Sequence, residues 1–266
     1  MLLHGNRNLV RLNRGVRRLL HVPRNINPSV LSTGCIEFLK ELNAKCKSDH
    51  TDCLTKRAEV FKTGVYGYRE DTKAIREGIW TANTIPDDLK RRHVEITGPG
   101  NDAKMVINAL NTEANGYMLD LEDSMVPSWN NVMNAHANII DAVRGKLTAK
   151  KLDEKTNQVV KEYSITNRDL PTLFVRVRGM HMFEDNVLDN NHQPISATIF
   201  DIGTHLYHNA KHMTSCDSII PGPYLYVPKL ESYEDALFIN KVISEAEQML
   251  NLPNSPTKVT ALMETY

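Results

Sequence analysis

From residue 93 onward, short apolar runs alternate with longer segments whose apolar residues recur at helical spacing. Between the runs, residues three and four positions apart predict helices, and the clearest of these spans residues 197–213. Polar residues gather directly after successive runs. The short runs themselves predict five buried strands, at residues 94–97, 117–121, 173–177, 224–227 and 258–263.

Three further segments complete the pattern. Residues 37–61 predict a helix with a broken apolar stripe, and the charged, alternating residues 145–164 predict a surface hairpin. Ser232 followed three residues later by Asp235 is similar to a capping box at the start of a helix.

Strands alternating with helices, with polar residues at the strand ends, favour a (β/α)8 barrel of the TIM type. A doubly wound sheet is the alternative, but no G-x-G-x-x-G fingerprint follows the first strand. A barrel needs eight strands and only five are found. We therefore expect an α/β fold with about the first five strands of a barrel in residues 93–266, preceded by a helical segment at 25–92.

The overall charge is balanced, with 32 basic and 32 acidic residues, so no net field attracts nucleic acid or a membrane surface. No apolar run approaches the ~20 residues of a membrane-spanning helix. The four cysteines show neither a C-x-x-C pair nor zinc-like spacing, which favours reduced thiols in an intracellular compartment.

The N-terminal segment departs from this balance. Residues 1–36 contain no acidic residue, and both arginines and apolar residues recur there at helical spacing. A basic, acid-free amphipathic start is typical of a mitochondrial transit peptide, here residues 1–24. A lipid-binding surface helix and a basic tail are the structural alternatives, and a peroxisomal (glyoxysomal) or cytoplasmic location is the alternative destination. The arginines are Arg7, Arg11, Arg14, Arg17, Arg18 and Arg24.

The stretch YMLDLEDS at 117–124 is the strongest candidate site. Asp120, Glu122 and Asp123 stand together at the C-terminal end of a predicted strand, where parallel α/β folds build their sites. Clustered carboxylates repel one another, so a hard cation, an arginine or shared protons must offset them. The alternative is a solvated acidic turn that caps the next helix.

The other predicted strands also end in polar side chains, which a barrel would bring to the same mouth. Carboxylates supply oxygen ligands for Mg²⁺, and an arginine can bind a carboxylate or stabilise an oxyanion. Acids, a metal and an arginine together suit enolate chemistry on a small keto or aldehyde acid. These strand-end residues are Thr97, Arg176, Arg178, Lys229 and Glu264.

A competing metal candidate is the trio His205, His208 and His212 on one helical face, since three histidines can bind zinc. This helix should lie outside the barrel and lacks supporting acids. Packing or surface roles are therefore favoured.

Six motifs in order resemble malate synthase of the A-isoform type, from about residue 91 to the end of the chain. Residues 25–90 resemble the N-terminal helical segment of that family more loosely. The motifs are RRHVEITGP (91–99), KMVINAL (104–110), YMLDLEDS (117–124), VRVRGMH (175–181), YVPK (226–229) and KVTALMET (258–265).

The resemblance implies a Mg²⁺-dependent condensation of acetyl-CoA with glyoxylate, giving malate and CoA in the glyoxylate cycle. It implies that Arg176 contacts glyoxylate and stabilises the acetyl-CoA enolate, and that Arg178 is a second substrate-binding arginine. It further implies that Glu264 ligates Mg²⁺ beside the substrate, while Asp120 and Glu122 hold metal-bound waters.

In the family, a second metal carboxylate and the aspartate general base lie beyond the position of residue 266. We therefore expect a chain shortened on its C-terminal side and inactive alone. The alternatives are an acyl-CoA lyase of the citrate-lyase β-subunit type, which shares a Leu-Glu-Asp motif, and a non-catalytic fragment. The sequence leaves the oligomeric state open.

Overall fold

A computed structural model describes residues 20–23, 26–64, 67–82 and 84–264. It contains nine strands in this part of the chain: β1 (Glu95–Pro99), β2 (Gly116–Asp120), β3 (Thr148–Leu152), β4 (Val159–Ser164), β5 (Thr172–Arg176), β6 (Phe183–Leu188), β7 (Pro194–Ser196), β8 (Tyr224–Leu230) and β9 (Lys258–Met263). The helices are α1 (Thr33–Thr63), α2 (Lys73–Glu77), α3 (Ala103–Leu110), α4 (Trp129–Val143), α5 (Ala197–Met213) and α6 (Tyr233–Leu250), with short 3₁₀ turns at Glu70–Thr72 and Asp87–Leu89.

The centre of the fold is a parallel sheet of five strands in the order β1-β2-β5-β8-β9. Its spatial order follows the chain order, with α3, α4, α5 and α6 between successive strands. A doubly wound sheet would reverse its order at a switch point, and this one does not. The α/β class and the five predicted strands are confirmed, and the described residues form no closed barrel.

The two faces of the sheet differ in what covers them. Side chains such as Leu119 and Val175 point to the helices and share one large core with them. Phe174 points to the other face, because side chains alternate along a strand, and packs there with Tyr224 and Leu89. The helix-covered face therefore holds most of the core, and the inner face holds a small aromatic cluster.

Helix α1 is 31 residues long and packs across α5 and α6, away from the sheet. It begins earlier than the predicted residue 37, because the Ser32 side chain accepts a hydrogen bond from the backbone of Cys35 and caps the helix. The capping box of Ser232 and Asp235 is confirmed at the start of α6.

The predicted surface hairpin is confirmed as β3–β4, and a second hairpin, β6–β7, was not predicted. The segment before α1 packs on this second hairpin. Leu20 and Val22 are buried, and His21 exchanges two backbone hydrogen bonds with Leu188 of β6. Most of the predicted transit peptide, residues 1–19 and 24, lies outside the described residues, so that assignment stays a prediction. None of the helices that the structure describes combines the length and apolar character needed to cross a bilayer.

Candidate functional site

Five charged side chains meet where β2, β5 and β8 end. We call Asp120, Glu122, Asp123, Arg176 and Lys229 the strand-end cluster. The three acids come from the end of β2 and the turn after it, the arginine ends β5, and the lysine lies near the end of β8. Parallel pairing places Asp120 directly beside Arg176. The structure thus joins side chains that lie up to 109 positions apart in the sequence.

Asp120 is buried and organises the turn that carries the other two acids. Its Oδ1 accepts hydrogen bonds from the backbone nitrogens of Glu122 at 2.8 Å and Asp123 at 3.2 Å. Its Oδ2 accepts from the backbone and hydroxyl of Ser124, at 3.1 and 2.8 Å. An aspartate that binds backbone amides two and three residues ahead holds a tight turn. The positions of the neighbouring carboxylates therefore depend on Asp120.

Arg176 faces all three acids. Its Nη1 lies 3.4 Å from Asp120 Oδ2, and its Nη2 lies 3.1 Å from Glu122 Oε2 and also contacts Asp123. Burial opposes its charge, but attraction to these acids outweighs burial and raises the pKa of Arg176. Its Nε is buried and finds no hydrogen-bond partner among the residues that the structure describes. The guanidinium therefore stays charged, and one of its donors is not used by the described part of the chain.

Glu122 pairs with both cations of the strand-end cluster. Its Oε1 lies 2.7 Å from Lys229 Nζ and accepts a 3.3 Å hydrogen bond from the backbone nitrogen of Gly179, while its Oε2 faces Arg176. A Cβ at Gly179 would lie 3.1 Å from that Oε1 and closer still to the side chain of His181, so a larger residue would force both side chains to shift. The glycine of VRVRG therefore has a packing reason.

Lys229 approaches the acids from a backbone conformation that is uncommon for a residue with a side chain, φ +58°. Its Nζ contacts both Glu122 and Asp123, the latter at 3.2 Å. Burial disfavours its charged form, but the hydrogen bonds to these acids outweigh burial and raise the pKa of Lys229. The predicted compensation for the clustered acids is thus supplied by Arg176 and Lys229.

Arg178 lies in a second buried network, apart from the strand-end cluster. Its Nε and Nη2 donate to the two carboxylate oxygens of Asp201 on α5, at 2.9 and 2.8 Å. Its Nη1 donates to Glu184 of β6 at 2.9 Å. Burial opposes the charge of Arg178, and the two acids outweigh it and raise its pKa. The structure therefore gives this arginine two carboxylate partners, and its substrate-binding role stays a prediction.

Glu264 directly follows β9, at the same end of the sheet as the strand-end cluster, and is exposed. Among the residues that the structure describes, no group of three or more His, Cys, Asp or Glu is arranged to hold a metal ion. Glu264, Asp120 and Glu122 therefore do not form a ready-made metal site, and the Mg²⁺ assignment stays a prediction.

Two of the three candidate histidines of α5, His205 and His208, make packing contacts. His205 is fully buried with its Nδ1 3.2 Å from Asn209 Nδ2, and burial lowers its pKa to about 3. His208 Nε2 lies 2.6 Å from the carbonyl oxygen of Val30. These contacts agree with the packing role that the sequence favoured.

Sequence reasoning missed Asp201 and Glu184, the partners of Arg178. Asp201 did carry a signal, since it lies between Phe200 and Ile202 in an apolar stretch, where an acid needs a buried partner. Glu184 carried none, because its strand shows no regular apolar pattern.

Comparison with known proteins gives one consistent result. Residues 172–266 match the family model described as the TIM barrel domain of malate synthase. Over 240 residues, or 89% of its length, the chain is 38% identical to a malate synthase of Myxococcus xanthus, and the match covers 42% of that relative. Over the same number of residues it is 35% identical to malate synthase A of Escherichia coli, and that match covers 43% of the relative. It is 34% identical to the glyoxysomal malate synthase of Brassica napus, over 89% of this chain and 41% of that relative. The chain thus spans about two-fifths of the length of these relatives, and the resemblance predicted from its motifs is confirmed.

Proposed function

We propose that this chain forms the glyoxylate-binding part of a malate synthase, which condenses acetyl-CoA with glyoxylate to give malate and CoA in the glyoxylate cycle. The single observation behind this is Arg176: it is charged, lies at the strand ends and has a buried Nε without a partner among the described residues. A planar guanidinium is suited to a small carboxylate. The similarity to malate synthases supplies the identity of that carboxylate.

In this reaction a base removes a proton from the acetyl methyl group, and the resulting enolate carbon attacks the aldehyde carbon of glyoxylate. Water then cleaves the thioester and releases CoA. Arg176 would bind the glyoxylate carboxylate and stabilise the negative charge of the enolate oxygen, the kind of preorganised donor that lowers such barriers. Asp120, Glu122 and Lys229 would hold the guanidinium in place through the contacts described above.

Magnesium is part of the proposal. Carboxylate oxygens are the ligands it prefers, and Glu264, with Asp120 and Glu122 through water, would hold it at the mouth. When bound, it would polarise the aldehyde of glyoxylate. The donor types fit Mg²⁺, although the described residues hold no ready-made group of three ligands. We expect MgCl₂ to raise the melting temperature of the chain, and we expect the Glu264→Gln variant to lose this effect.

The activity test compares this 266-residue chain with a chimera that adds the remaining C-terminal part of the Myxococcus xanthus malate synthase. We expect glyoxylate-dependent CoA release from acetyl-CoA with Mg²⁺ in the chimera and none in the 266 residues alone. In the part of the chain that the structure describes, no further strand pairs with the outer edges of β1 and β9, and Val259 and Met263 of β9 are exposed. Without its general base a site also loses about 10²–10⁴-fold in rate.

Two results would count against this proposal. A chimera that folds but releases no CoA would refute the function, and cleavage of an acyl-CoA without glyoxylate would favour the lyase alternative. Glyoxylate-dependent turnover by the 266 residues alone, abolished by Glu264→Ala, would refute the expected inactivity.

For location, we propose mitochondrial import directed by residues 1–24, on the strength of their acid-free, arginine-rich composition. The glyoxysomal name of the Brassica napus relative supports the peroxisomal alternative. A fluorescent reporter carrying residues 1–36 should enter mitochondria. A peroxisomal or cytosolic reporter would contradict the proposal.

A further inference from the structure

The N-terminal helix α1 lies outside the sheet but contacts the loop after β5 and the end of β8, both of which border the strand-end cluster. His50 Nε2 lies 2.6 Å from the carbonyl oxygen of Met180, in the loop after β5. Arg57 Nη2 donates at 2.6 Å to the carbonyl oxygen of Lys229. The second contact is the more informative, because Lys229 itself belongs to the cluster.

The guanidinium of Arg57 is itself fixed by two acids, Asp235 and Glu231. Its Nε and Nη2 donate to the carboxylate of Asp235, the fully buried capping residue of α6, at 2.8 to 3.2 Å. Its Nη1 lies 3.4 Å from Glu231. The side chain of Arg57 is only 11% exposed. Such a forked, desolvated pairing fixes the guanidinium more tightly than a surface ion pair would.

The backbone of Lys229 adopts the left-handed conformation, which costs free energy for a residue with a Cβ. A contact from another element is therefore required to stabilise this conformation. The direction of its side chain follows from that conformation. From there Nζ bridges Glu122 and Asp123, the two acids that also face Arg176. A change in the Lys229 backbone would therefore move the carboxylates that surround the arginine.

We infer that Arg57 is a positioning residue: it holds the Lys229 backbone so that Nζ stays between Glu122 and Asp123 and fixes both acids around Arg176. Helix α1 thereby helps to support the site, although none of its side chains belongs to the strand-end cluster. Only the description of this cluster as a glyoxylate site rests on the function proposed above.

The test uses the folded 266-residue chain and needs no turnover. Lysines are acetylated at a single pH by a limiting amount of acetic anhydride, and the modified peptides are quantified by mass spectrometry. Lys150, which pairs with Glu162 on the distant β3–β4 hairpin, serves as the internal reference. The variants are Arg57→Met, which removes all the contacts, and Arg57→Lys, which keeps a charge for Asp235 but not the planar fork.

The matched control is Lys45→Met. Lys45 also joins α1 to α6, through a 2.8 Å ion pair with Glu245, but does not touch the cluster. We expect acetylation of Lys229 relative to Lys150 to rise at least about fivefold in both Arg57 variants, since the lost hydrogen bonds involve charged groups. It should not change in Lys45→Met, even where the melting temperature falls.

An unchanged Lys229 rate in folded Arg57→Lys would overturn the inference, as would an equal rise in Lys45→Met. If Arg57→Met unfolds, which circular dichroism would show, Arg57→Lys decides the question. A chimera without malate synthase activity would refute the proposed function and leave this result standing. Unchanged labelling in an active chimera would refute only the role of Arg57.

Discussion

The two arginines of VRVRG, Arg176 and Arg178, are two residues apart in the sequence but have very different environments. Arg176 faces acids from a single turn, and one of them, Asp123, has a side chain that is 56% exposed. The Nε of Arg176 has no partner in the part of the chain that the structure describes. Arg178 faces Asp201 and Glu184 from two different elements, and the side chains of all three are at most 3% exposed. One arginine pairs with a carboxylate that is open to water, and the other is enclosed by buried carboxylates.

The difference comes from where the strand ends. In an extended strand, residues two apart point to the same side, which alone would place both arginines at the mouth. β5 ends at Arg176, however, and the chain then turns. The backbone nitrogen of Arg178 donates to Asp201 and its carbonyl accepts from Thr198, both on α5. Arg178 thus ties the loop to the helix layer, while Arg176 stays at the sheet edge among the acids of the strand-end cluster.

The largest expected effect is on stability. Arg178→Met should lower the free energy of unfolding of the 266-residue chain by about 3–5 kcal/mol, because it leaves two buried carboxylates without a counter-charge. Arg176→Met, the matched control, should cost less than half as much, since the buried acids keep other partners: Asp120 keeps the hydrogen bonds of its turn and Glu122 keeps Lys229. Asp123 is open to water. Urea unfolding followed by circular dichroism measures both. Equal losses would remove the distinction between the two arginines.

The second prediction concerns turnover in the chimera. Arg176→Lys should reduce kcat by about 10²–10³-fold, since a donor that stabilises developing negative charge contributes ~3–4 kcal/mol and lysine lacks the planar fork. Arg178→Lys should retain far more activity per folded molecule, since its contacts are structural. Near-normal turnover in Arg176→Lys would assign the substrate role to Arg178 or to another residue.

The sequence was sufficient to predict the strand-end cluster but not the enclosure of Arg178. Asp120, Glu122 and Arg176 directly end or follow short apolar strands, and parallel strands bring such residues to one edge by geometry alone. The partners of Arg178 depend on tertiary packing, since Asp201 comes 23 residues later and faces inward from a helix.

The β6–β7 hairpin and the Arg57 contact escaped prediction for related reasons. Phe183 is exposed while Glu184 is buried, so this strand inverts the apolar-in pattern that sequence reasoning relies on. Arg57 and Lys229 are 172 residues apart, and nothing in the local sequence of α1 distinguishes that arginine from a surface one. Both features follow from which elements pack together, not from periodicity.

The third prediction uses pH to isolate the enclosed network. Burial opposes ionisation of Asp201, but Arg178 and His136 outweigh it and lower its pKa to about 2. An unfolded aspartate titrates near pH 3.9, so between about pH 4 and pH 2 the unfolded chain binds more protons. Asp201 therefore contributes about 2 kcal/mol above pH 4, and this is lost as the pH falls towards 2.

Asp201→Asn removes the titrating group, so the variant should lose less stability than the original chain between pH 5 and pH 3. Urea unfolding at the two pH values gives the difference. Identical losses in both proteins would mean that the Arg178 network makes no contribution to the acid sensitivity of the fold.

The smallest expected effect on stability is at Asp123, the exposed acid of the strand-end cluster. Asp123 is more than half exposed and pairs with both Arg176 and Lys229, so Asp123→Asn should change the free energy of unfolding by less than about 1 kcal/mol. The same carboxylate, however, occupies Arg176 Nη2 and repels any incoming anion. Its removal should therefore strengthen glyoxylate binding by about three- to fivefold, the scale of an exposed ion pair.

Asp141→Asn on the exposed face of α4 is the control for net charge. Calorimetric titration of glyoxylate into the three proteins decides the matter: equal strengthening in the control would reduce the effect to overall charge, and weaker binding in Asp123→Asn would show that Asp123 helps to hold the ligand.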